Sequence, residues 1–221
     1  MPKLELVNIN KTFHVDKKFQ DEDVFTMENI NLTIKSGEFV SVLGPSGCGK
    51  TTLLKLMSGL IKPDNGIILE DGKDITQMPV EKKNYAMVTQ QPLLFPNMTL
   101  IDNICFGLKM QKINKDQRIA SADLMISKLK LKGLEKRYPS QLSGGQCQRA
   151  TIARALVSNP KVLFMDEPFS SLNEELRLEM RNLIEDLHRN SNLTIIFVTH
   201  DKEEAYLLSD RIITMRNGSI E

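Results

Sequence analysis

A stretch of nine residues near the start of the chain has the pattern of a phosphate-binding loop. "GPSGCGKTT" matches the spacing G-x-x-x-x-G-K-[S/T]. Its glycines let backbone N–H groups converge on phosphate oxygens, and a helix that begins near Lys50 points its positive end at them. Lys50 supplies a charge for β/γ-phosphates, and the Thr51 hydroxyl can ligate Mg²⁺. The nucleotide contacts predicted here are Gly44, Pro45, Ser46, Gly47, Cys48, Gly49, Lys50, Thr51 and Thr52.

A chance glycine turn is the alternative reading of this loop. It is disfavoured because the loop stands between the buried-strand pattern "EFVSVLG" and the helical pattern "KTTLLKLMSGL". That strand–loop–helix context is what the motif requires.

Two carboxylates end an apolar run in the second half of the chain, in "KVLFMDEP". Ligands of open α/β sheets gather at the carboxyl ends of strands, so we expect Asp166 to hold Mg²⁺, directly or through water. Glu167 is then placed to orient or deprotonate a water that attacks phosphate. An Asp-Glu pair that caps the next helix is the alternative, and it is weaker beside an intact phosphate loop.

Two further polar residues end strand patterns. His200 follows the apolar run in "TIIFVTHD", where it could sense a γ-phosphate through a hydrogen bond. Taken alone, a histidine at a strand end is more often structural. Gln90 closes "YAMVTQ" and would be an unremarkable amide if considered alone.

A second glycine pair precedes the helical pattern in "QLSGGQCQRATIARAL". Backbone N–H groups and a serine hydroxyl at a helix start can hold an anion without a lysine. The chain already has a complete phosphate loop, however, so this loop needs a ligand of its own or is only a tight turn.

The elements that must position these residues alternate between strands and helices. "LELVNIN" and "VFTMENINLTI" have the apolar–polar alternation of antiparallel strands, and hairpins are predicted around Asp71-Gly72 and in "RIITMRNGSI". Helical spacing recurs in "EELRLEMRNLIEDLHRN", "KEEAYLLSD" and "DQRIASADLMISKLKLKGL", the last of which is predicted to end at its glycine. We predict one α/β domain over 1–221, in which a helical insert at 91–160 interrupts a core formed by 1–90 and 161–221.

Composition narrows the possible functions. The chain has 221 residues, with 29 Lys+Arg against 28 Asp+Glu, so it would gain little from counterion release and is not expected to bind nucleic acid. No apolar run approaches the roughly 18 residues that span a bilayer, and the first residues lack the apolar core of a signal peptide. Three cysteines without a C-x-x-C pair indicate no disulfide framework and a reducing cytosol.

Five segments in this order, "GPSGCGKTT", "VTQ", "LSGGQ", "VLFMDEP" and "VTHD", resemble the nucleotide-binding subunit of ATP-binding cassette (ABC) transporters. The resemblance covers nearly the whole chain, and "LSGGQ" is its specific element. It implies a P-loop NTPase core with an antiparallel β subdomain and an inserted α-helical subdomain that carries the signature. It also implies an ATPase whose cofactors are ATP and Mg²⁺.

The resemblance assigns roles to residues that are ambiguous alone. Two domains pack head to tail, so that the signature loop reaches the γ-phosphate bound by the partner. Gln90 then reaches Mg²⁺ or the attacking water, and His200 contacts the γ-phosphate. The implied signature contacts are Ser143, Gly144, Gly145 and Gln146; the implied catalytic residues are Glu167, His200, Gln90 and Lys50; the implied metal ligands are Thr51, Gln90 and Asp166.

An aromatic residue usually stacks on adenine in this family. Phe13 is the candidate, with Phe19 and Phe25 as rivals, and core packing is an equal alternative for each. The chain also departs from the family, which usually reads S-A-L-D after the second carboxylate: here "SSLN" ends in Asn173. Asparagine keeps the shape and hydrogen bonding of aspartate without its charge, so coupling between the two sites is open to change.

Within the family the chain looks most like importer ATPases, several of which carry a C-terminal regulatory domain. Because the sequence ends at "RNGSIE", that domain is expected to be absent here or to have been removed. Expected partners are a second copy or paralogue, an integral membrane permease docked around 90–108 and, as a further candidate, a substrate-binding protein. The expected location is the cytoplasmic face of the cell membrane, with a subunit that is soluble when isolated.

An exporter ATPase is the nearest alternative within the family. A soluble ABC ATPase of DNA repair or translation is disfavoured because such proteins carry two cassettes or long coiled coils. A kinase or GTPase is disfavoured by "LSGGQ" and because "NKDQ" lacks the aspartate of a guanine motif.

Overall fold

A computed structural model describes residues 1–14, 24–170, 172–191 and 193–221 of the chain. The strands are β1 Leu4–His14, β2 Val24–Ile34, β3 Phe39–Leu43, β4 Asn65–Glu70, β5 Lys73–Asp74, β6 Tyr85–Val88, β7 Val162–Asp166, β8 Thr194–Thr199, β9 Arg211–Arg216 and β10 Ser219–Ile220. The α-helices are α1 Lys50–Ser58, α2 Leu100–Met110, α3 Lys115–Lys128, α4 Gly144–Leu156, α5 Glu174–Ser191 and α6 Lys202–Leu208. Single 3₁₀ turns lie at Val80–Lys82 and Pro139–Gln141.

The first sheet is antiparallel, with strand order β2-β1-β4-β5. Its pairing shifts register within β1 between Leu6 and Lys11. Asparagine side chains bridge the irregularity: the Asn8 amide donates to Asn31 Oδ1 and the Asn29 amide to Asn10 Oδ1, each at 2.9 Å. A bulge of this kind bends a strand and re-aims the residues beyond it. The end of β1, which carries Phe13, follows this bend.

The second sheet has the order β10-β9-β3-β8-β7-β6, and every pair between β9 and β6 is parallel. Strands β3, β8 and β7 are direct neighbours. Their carboxyl ends therefore meet at one edge, where three loops from distant parts of the sequence come together.

The two faces of the parallel sheet contribute side chains to different hydrophobic cores. On β8, Ile196 and Val198 pack with α1 and the antiparallel sheet, while Ile195 and Phe197 pack with α5 and the helices between β6 and β7. A strand covered on both faces is apolar along most of its length rather than at alternate positions. The predicted strands "EFVSVL" and "TIIFVT" are confirmed, and their lack of polar alternation has this cause.

Helices α2, α3 and α4 stand between β6 and β7 and share the second of these cores. The prediction that α3 ends at Gly133 was wrong, because the helix ends at Lys128. Lys130 takes a left-handed conformation with φ 53°, and the Lys130 and Leu131 amides bond to the carbonyls of Ser127 and Ile126. That pattern is a Schellman motif. Glycine is the most common residue at its left-handed position, but other residues also occur there.

Both predicted hairpins are confirmed, with Asp71-Gly72 joining β4 to β5 and Asn217-Gly218 joining β9 to β10. The predicted strand "YAMVTQ" is shorter than expected, since β6 ends at Val88 and Gln90 lies in the loop beyond it. Across the described ranges, no helix has both the length and the apolar character needed to cross a membrane.

The two hairpin glycines provide a test of how the sheets fit together. Gly218 and Gly72 have nearly the same left-handed φ, 78° and 77°. A Cβ on Gly218 would collide with the Thr26 carbonyl oxygen, whereas a Cβ on Gly72 would meet nothing within 4 Å. We expect Gly72→Ala to cost about 1 kcal/mol of unfolding free energy, from backbone strain alone. Gly218→Ala should cost about 1–3 kcal/mol more through overpacking. Equal urea midpoints for the two variants would contradict this packing.

Candidate functional site

The loop between β3 and α1 presents donors rather than acceptors. Helix α1 begins at Lys50, and its N-cap Gly49 supplies no side-chain acceptor for the first helical amides. Those amides and the positive end of the helix are therefore available to an anion. Gly49 has φ 106°, and a Cβ there would lie 2.7 Å from Phe25 Cζ, so the close approach of β2 to the loop requires glycine.

Lys50 is buried in this loop, with 6% of its surface exposed. Its ammonium group donates to the carbonyls of Gly44 at 2.7 Å and Pro45 at 2.9 Å. Among the described residues no carboxylate lies within ion-pair distance of it. The loop thus holds a buried cation that makes no direct ion pair, although its charge acts on the nearby Asp166, and this favours binding of an anion.

Thr51 joins this loop to the end of β7. Its hydroxyl lies 3.0 and 2.9 Å from the two carboxylate oxygens of Asp166. Burial raises the pKa of Asp166, the Thr51 hydrogen bond opposes that rise, and the neighbouring charge of Glu167 adds to it. A divalent cation would offset this electrostatic cost, and hydroxyl and carboxylate oxygens are ligands that Mg²⁺ accepts.

Glu167 is the meeting point of three loops. Gln90 Nε2 donates to Glu167 Oε2 at 3.3 Å, and His200 Nδ1 lies 3.3 Å from the same oxygen. The Glu167 backbone has φ 44°, and its amide donates to the Val198 carbonyl of β8. Left-handed backbone at a non-glycine residue is concentrated at functional sites, where it aims a side chain.

A cavity of about 490 Å³ opens beside these residues. It is lined by Phe13, Phe25, Ser46, Gly47, Gly49, Lys50, Thr51, Thr52, Gln90 and Glu167. Asp166 and His200 do not line the cavity themselves. Asp166 contacts Thr51 and His200 contacts Glu167, and both of those residues are in the lining. Gly44, Pro45 and Cys48 belong to the loop but do not line the cavity. The Cys48 side chain instead packs in the core shared by α1 and the antiparallel sheet.

Two aromatic rings form one wall of the cavity. Phe13 and Phe25 pair across β1 and β2, with ring centroids 6.4 Å apart, and Lys11 Nζ lies 5.6 Å from the Phe13 ring centroid. Phe13, the favoured candidate, and Phe25, its rival, both line the cavity. The other rival, Phe19, falls outside the described residues.

The signature loop lies away from this cavity. Ser143 caps α4: its hydroxyl accepts from the Gln146 amide, while the Gln146 side chain accepts from the Ser143 amide at 2.9 Å. Within the described part of the chain, the Gly144 and Gly145 amides have no acceptor. A rigid, capped helix start with two free amides is suited to an anion.

Sequence reasoning missed Gln148, which connects the signature helix to Thr89, the residue before Gln90. Gln148 is fully buried, and its Nε2 lies 3.4 Å from the Thr89 carbonyl. The only sequence signal for this role was that the Gln148 amide falls on the side of α4 that faces the core. Asn173 also has a local role, since its Oδ1 accepts from the Leu176 amide at 3.0 Å and so caps α5. Aspartate would cap equally well, so the departure changes charge without removing the cap.

The arrangement of the phosphate loop, the Asp166–Glu167 pair and the signature loop is that of an ATP-binding cassette. Comparisons with known proteins support the same family. A family model described as ABC transporter matches residues 27–170. The solved dimer of the ATP-binding cassette MJ0796 in a post-hydrolysis state, bound to ADP and Pi, superposes with a TM-score of 0.88 at 31% identity. That match covers 99% of this chain and 96% of the other. The chain belongs to the ABC transporter family.

Curated relatives carry a more specific description. The chain is 46% identical to the spermidine/putrescine import ATP-binding protein PotA of Pasteurella multocida (strain Pm70), over 100% of this chain and 57% of that protein. The PotA protein of Vibrio cholerae serotype O1 is also 46% identical, over 94% of this chain and 54% of that protein. The chain thus spans little more than half the length of these relatives.

The buried charge of Lys50 leads to a binding prediction. Lys50→Ala should weaken ATP binding by at least about tenfold, because a charge-assisted contact to phosphate is worth about 1.5–3 kcal/mol. Lys62→Ala is the matched control, since Lys62 is exposed beyond the far end of α1 and bonds to Gln77. Titration calorimetry measures both variants. Equal affinities for the two would contradict the assignment of Lys50.

Proposed function

We propose that this chain is the ATP-hydrolysing subunit of an ABC importer. It couples ATP binding, dimer closure and hydrolysis to solute movement through a membrane permease. The observation that carries the proposal is the convergence of Lys50, Thr51, Gln90 and Glu167 on one cavity, with Asp166 and His200 directly behind it. ATP binding and hydrolysis are the chemistry that this group of residues supports best.

The cavity divides into a part suited to phosphates and a part suited to a base. The loop amides and Lys50 receive the phosphates, while the rings of Phe13 and Phe25 offer an apolar wall for adenine. Over the described residues, no group of three or more His, Cys, Asp or Glu side chains could hold a metal ion. Mg²⁺ in such a site is usually held by one or two carboxylates together with substrate phosphates, and Asp166 supplies a carboxylate, with the oxygens of Thr51 and Gln90 as further ligands.

Hydrolysis follows from the position of Glu167. Its carboxylate accepts a proton from a water molecule, whose oxygen attacks the γ-phosphorus while the bond to the ADP oxygen breaks. Gln90 and His200, each 3.3 Å from Glu167 Oε2, orient this carboxylate and are placed to contact the water and the γ-phosphate. When bound, Mg²⁺ neutralises charge on the phosphate oxygens.

The separate signature loop supports a head-to-tail dimer. Each chain carries one phosphate loop and one signature loop, and the second does not line its own cavity. A two-fold arrangement of two copies, or of this chain and a paralogue, presents Ser143, Gly144, Gly145 and Gln146 to the nucleotide of the partner. The dimeric neighbour, described with ADP and Pi, supports this assembly.

A second surface is suited to the permease. Between β6 and α2 the chain exposes Leu93 by 61% and Phe95 by 38%. The Phe95 ring packs on Phe106 with centroids 4.5 Å apart, next to a groove of about 390 Å³ on α2 and α3. We assign permease docking to this surface, on a helical unit at 91–160 that also carries the signature loop. The rest of the proposed nucleotide-binding core is 1–90 and 161–221.

The descriptions of the relatives support import, and they make polyamines the substrate class to test first. A membrane permease places the subunit at the cytoplasmic face of the membrane, and a substrate-binding protein is a further proposed partner. Co-purification of a multi-span membrane protein with this chain tests transport against a soluble function. A chain that purifies alone and hydrolyses ATP only with a soluble partner would contradict the transport proposal.

Replacing Glu167 tests the chemistry. Glu167→Gln keeps the size of the side chain but cannot accept a proton from water, so kcat should fall by about 10²–10⁴-fold. Lys50, Thr51 and Asp166 remain, so ATP should still bind and accumulate in a dimer visible by size-exclusion chromatography with light scattering. Exposed Glu81→Gln is the control and should hydrolyse ATP like wild type. Wild-type turnover by Glu167→Gln would exclude Glu167 as the base.

Replacing Ser143 tests the partner's role. Ser143→Arg should leave ATP affinity of the monomer within about twofold and abolish the dimer, because a bulky cation faces the nucleotide of the other chain. The control Ser127→Arg places the same change on an exposed position of α3. Both are made in the Glu167→Gln background and compared with ATP and with ADP. Loss of monomer binding in Ser143→Arg would instead place the signature loop in its own chain's site.

A further inference from the structure

A cluster of charged side chains lies directly behind His200, and the chemistry proposed above makes no use of it. It joins α5 to α6 and includes two arginines, Arg177 and Arg181, and the buried carboxylate of Glu204, which is only 5% exposed. A small cavity of about 50 Å³ connects the cluster to the catalytic side, with Glu167, Ser170 and His200 in its lining. Buried charges in such a place require a structural or functional reason.

The cluster controls the backbone on both sides of His200. Thr199, the last residue of β8, donates its hydroxyl to Glu204 Oε2 at 2.6 Å and accepts from the Asp201 amide at 3.1 Å. Asp201 in turn caps α6 by accepting from the amides of Glu203 and Glu204. The His200 side chain itself is 63% exposed. Its backbone is therefore positioned by the two neighbours, which are held in place by Glu204 and the cap, while its ring contacts Glu167.

Arg177 connects this turn to the loop after β7. Its Nε lies 3.8 Å from Glu204 Oε1 and its Nη1 lies 3.9 Å from Asp201 Oδ2. Its Nη2 donates to the Leu172 carbonyl at 3.4 Å. Leu172 precedes Asn173, the residue that caps α5. One guanidinium group thus touches the segment that follows Glu167 and the segment that contains His200.

We propose that Arg177 and Glu204 are a positioning pair, which fixes His200 relative to Glu167 and to the Leu172–Asn173 segment during ATP hydrolysis. The inference rests on the proposed ATPase function. Replacing either residue changes the charge balance around the buried carboxylate of Glu204, which keeps fewer opposite charges near it or loses its own, so the turn that holds His200 would rearrange. Small displacements of a catalytic group can lower turnover strongly while leaving substrate binding intact.

A purely architectural role is the alternative, in which the pair only attaches α6 to α5. The two readings differ in what a mild change should do. Glu204→Gln keeps an oxygen that can accept from Thr199 and removes only the charge that faces Arg177. Architecture alone predicts lower stability with normal chemistry per folded molecule. Positioning predicts impaired chemistry in a molecule that is folded and binds ATP.

The experiment compares Arg177→Met and Glu204→Gln with Arg189→Met. Arg189 lies on the same helix in an exposed pair with Glu185, so the control removes an equivalent charge and stem. Steady-state kinetics give kcat and KM. Histidine ring resonances at fixed pH report His200 directly, assigned with His200→Gln, while His188, bonded to the Gly37 carbonyl, serves as an internal reference.

We expect kcat to fall at least about tenfold in both test variants, with KM within about twofold and with the His200 resonance shifted. Arg189→Met should match wild type, and His188 should be unchanged. If Arg177→Met does not fold, Glu204→Gln decides. An unchanged kcat with an unchanged His200 resonance would overturn the inference, as would a fall in kcat that parallels loss of ATP affinity and movement of His188.

Failure of the proposed function would be visible separately. If purified wild type shows no ATP hydrolysis that depends on Lys50, the ATPase proposal fails, while the His200 resonance still tests whether Arg177 and Glu204 hold the turn. A shifted His200 in that case supports the positioning contact without the chemistry. An unshifted His200 overturns both.

Discussion

The site depends on the parallel pairing of β3 with β8 and of β8 with β7. Parallel strands end at the same edge, so the pairing brings the loop before Lys50, the Asp166–Glu167 pair and His200 together from three distant parts of the chain. A further backbone hydrogen bond links the end of β7 to β8, since the Glu167 amide donates to the Val198 carbonyl. A one-residue slip between these strands would turn every side chain to the opposite face and separate the groups.

Electrostatics explain why such a site binds nucleotide. Lys50 is buried with only carbonyl oxygens as partners, and Asp166 is buried with a hydroxyl. Each arrangement satisfies hydrogen bonds, and the charges of Lys55 and Lys50 offset only part of the effect of burial, which raises the pKa of Asp166. On the proposed function, an anionic phosphate beside the first and a Mg²⁺ ion beside the second would complete both sets of interactions.

The signature loop, like the phosphate loop, leaves amides at the start of a helix available to an anion. Ser143 and Gln146 satisfy each other, which leaves the amides of Gly144 and Gly145 free. Because this arrangement needs no lysine, in the proposed dimer it would approach a phosphate whose charge is already met by the partner chain. Gln148, on the same helix, contacts the Thr89 carbonyl next to Gln90. The helix that would meet the partner's nucleotide is thus linked to the loop that would meet the permease.

The sequence by itself determined the local features of this protein. The phosphate loop, the Asp166–Glu167 pair and the Ser143 cap are read from neighbours within a few residues, because backbone geometry and helix capping are local. Other features were decided only by tertiary structure. The end of α3 depends on a left-handed lysine, Lys130, where sequence reasoning relied on Gly133.

The choice among aromatic residues at the cavity depends on the pairing of β1 with β2, which sets Phe13 opposite Phe25. The contact of Arg177 with Glu204 joins α5 to α6, whose proximity no local pattern indicates. Such contacts arise from strand register and from the packing of helices on a shared sheet. Both depend on how the whole chain buries its apolar side chains. The separate motifs could therefore be predicted from the sequence, whereas the network of contacts that holds them together could not.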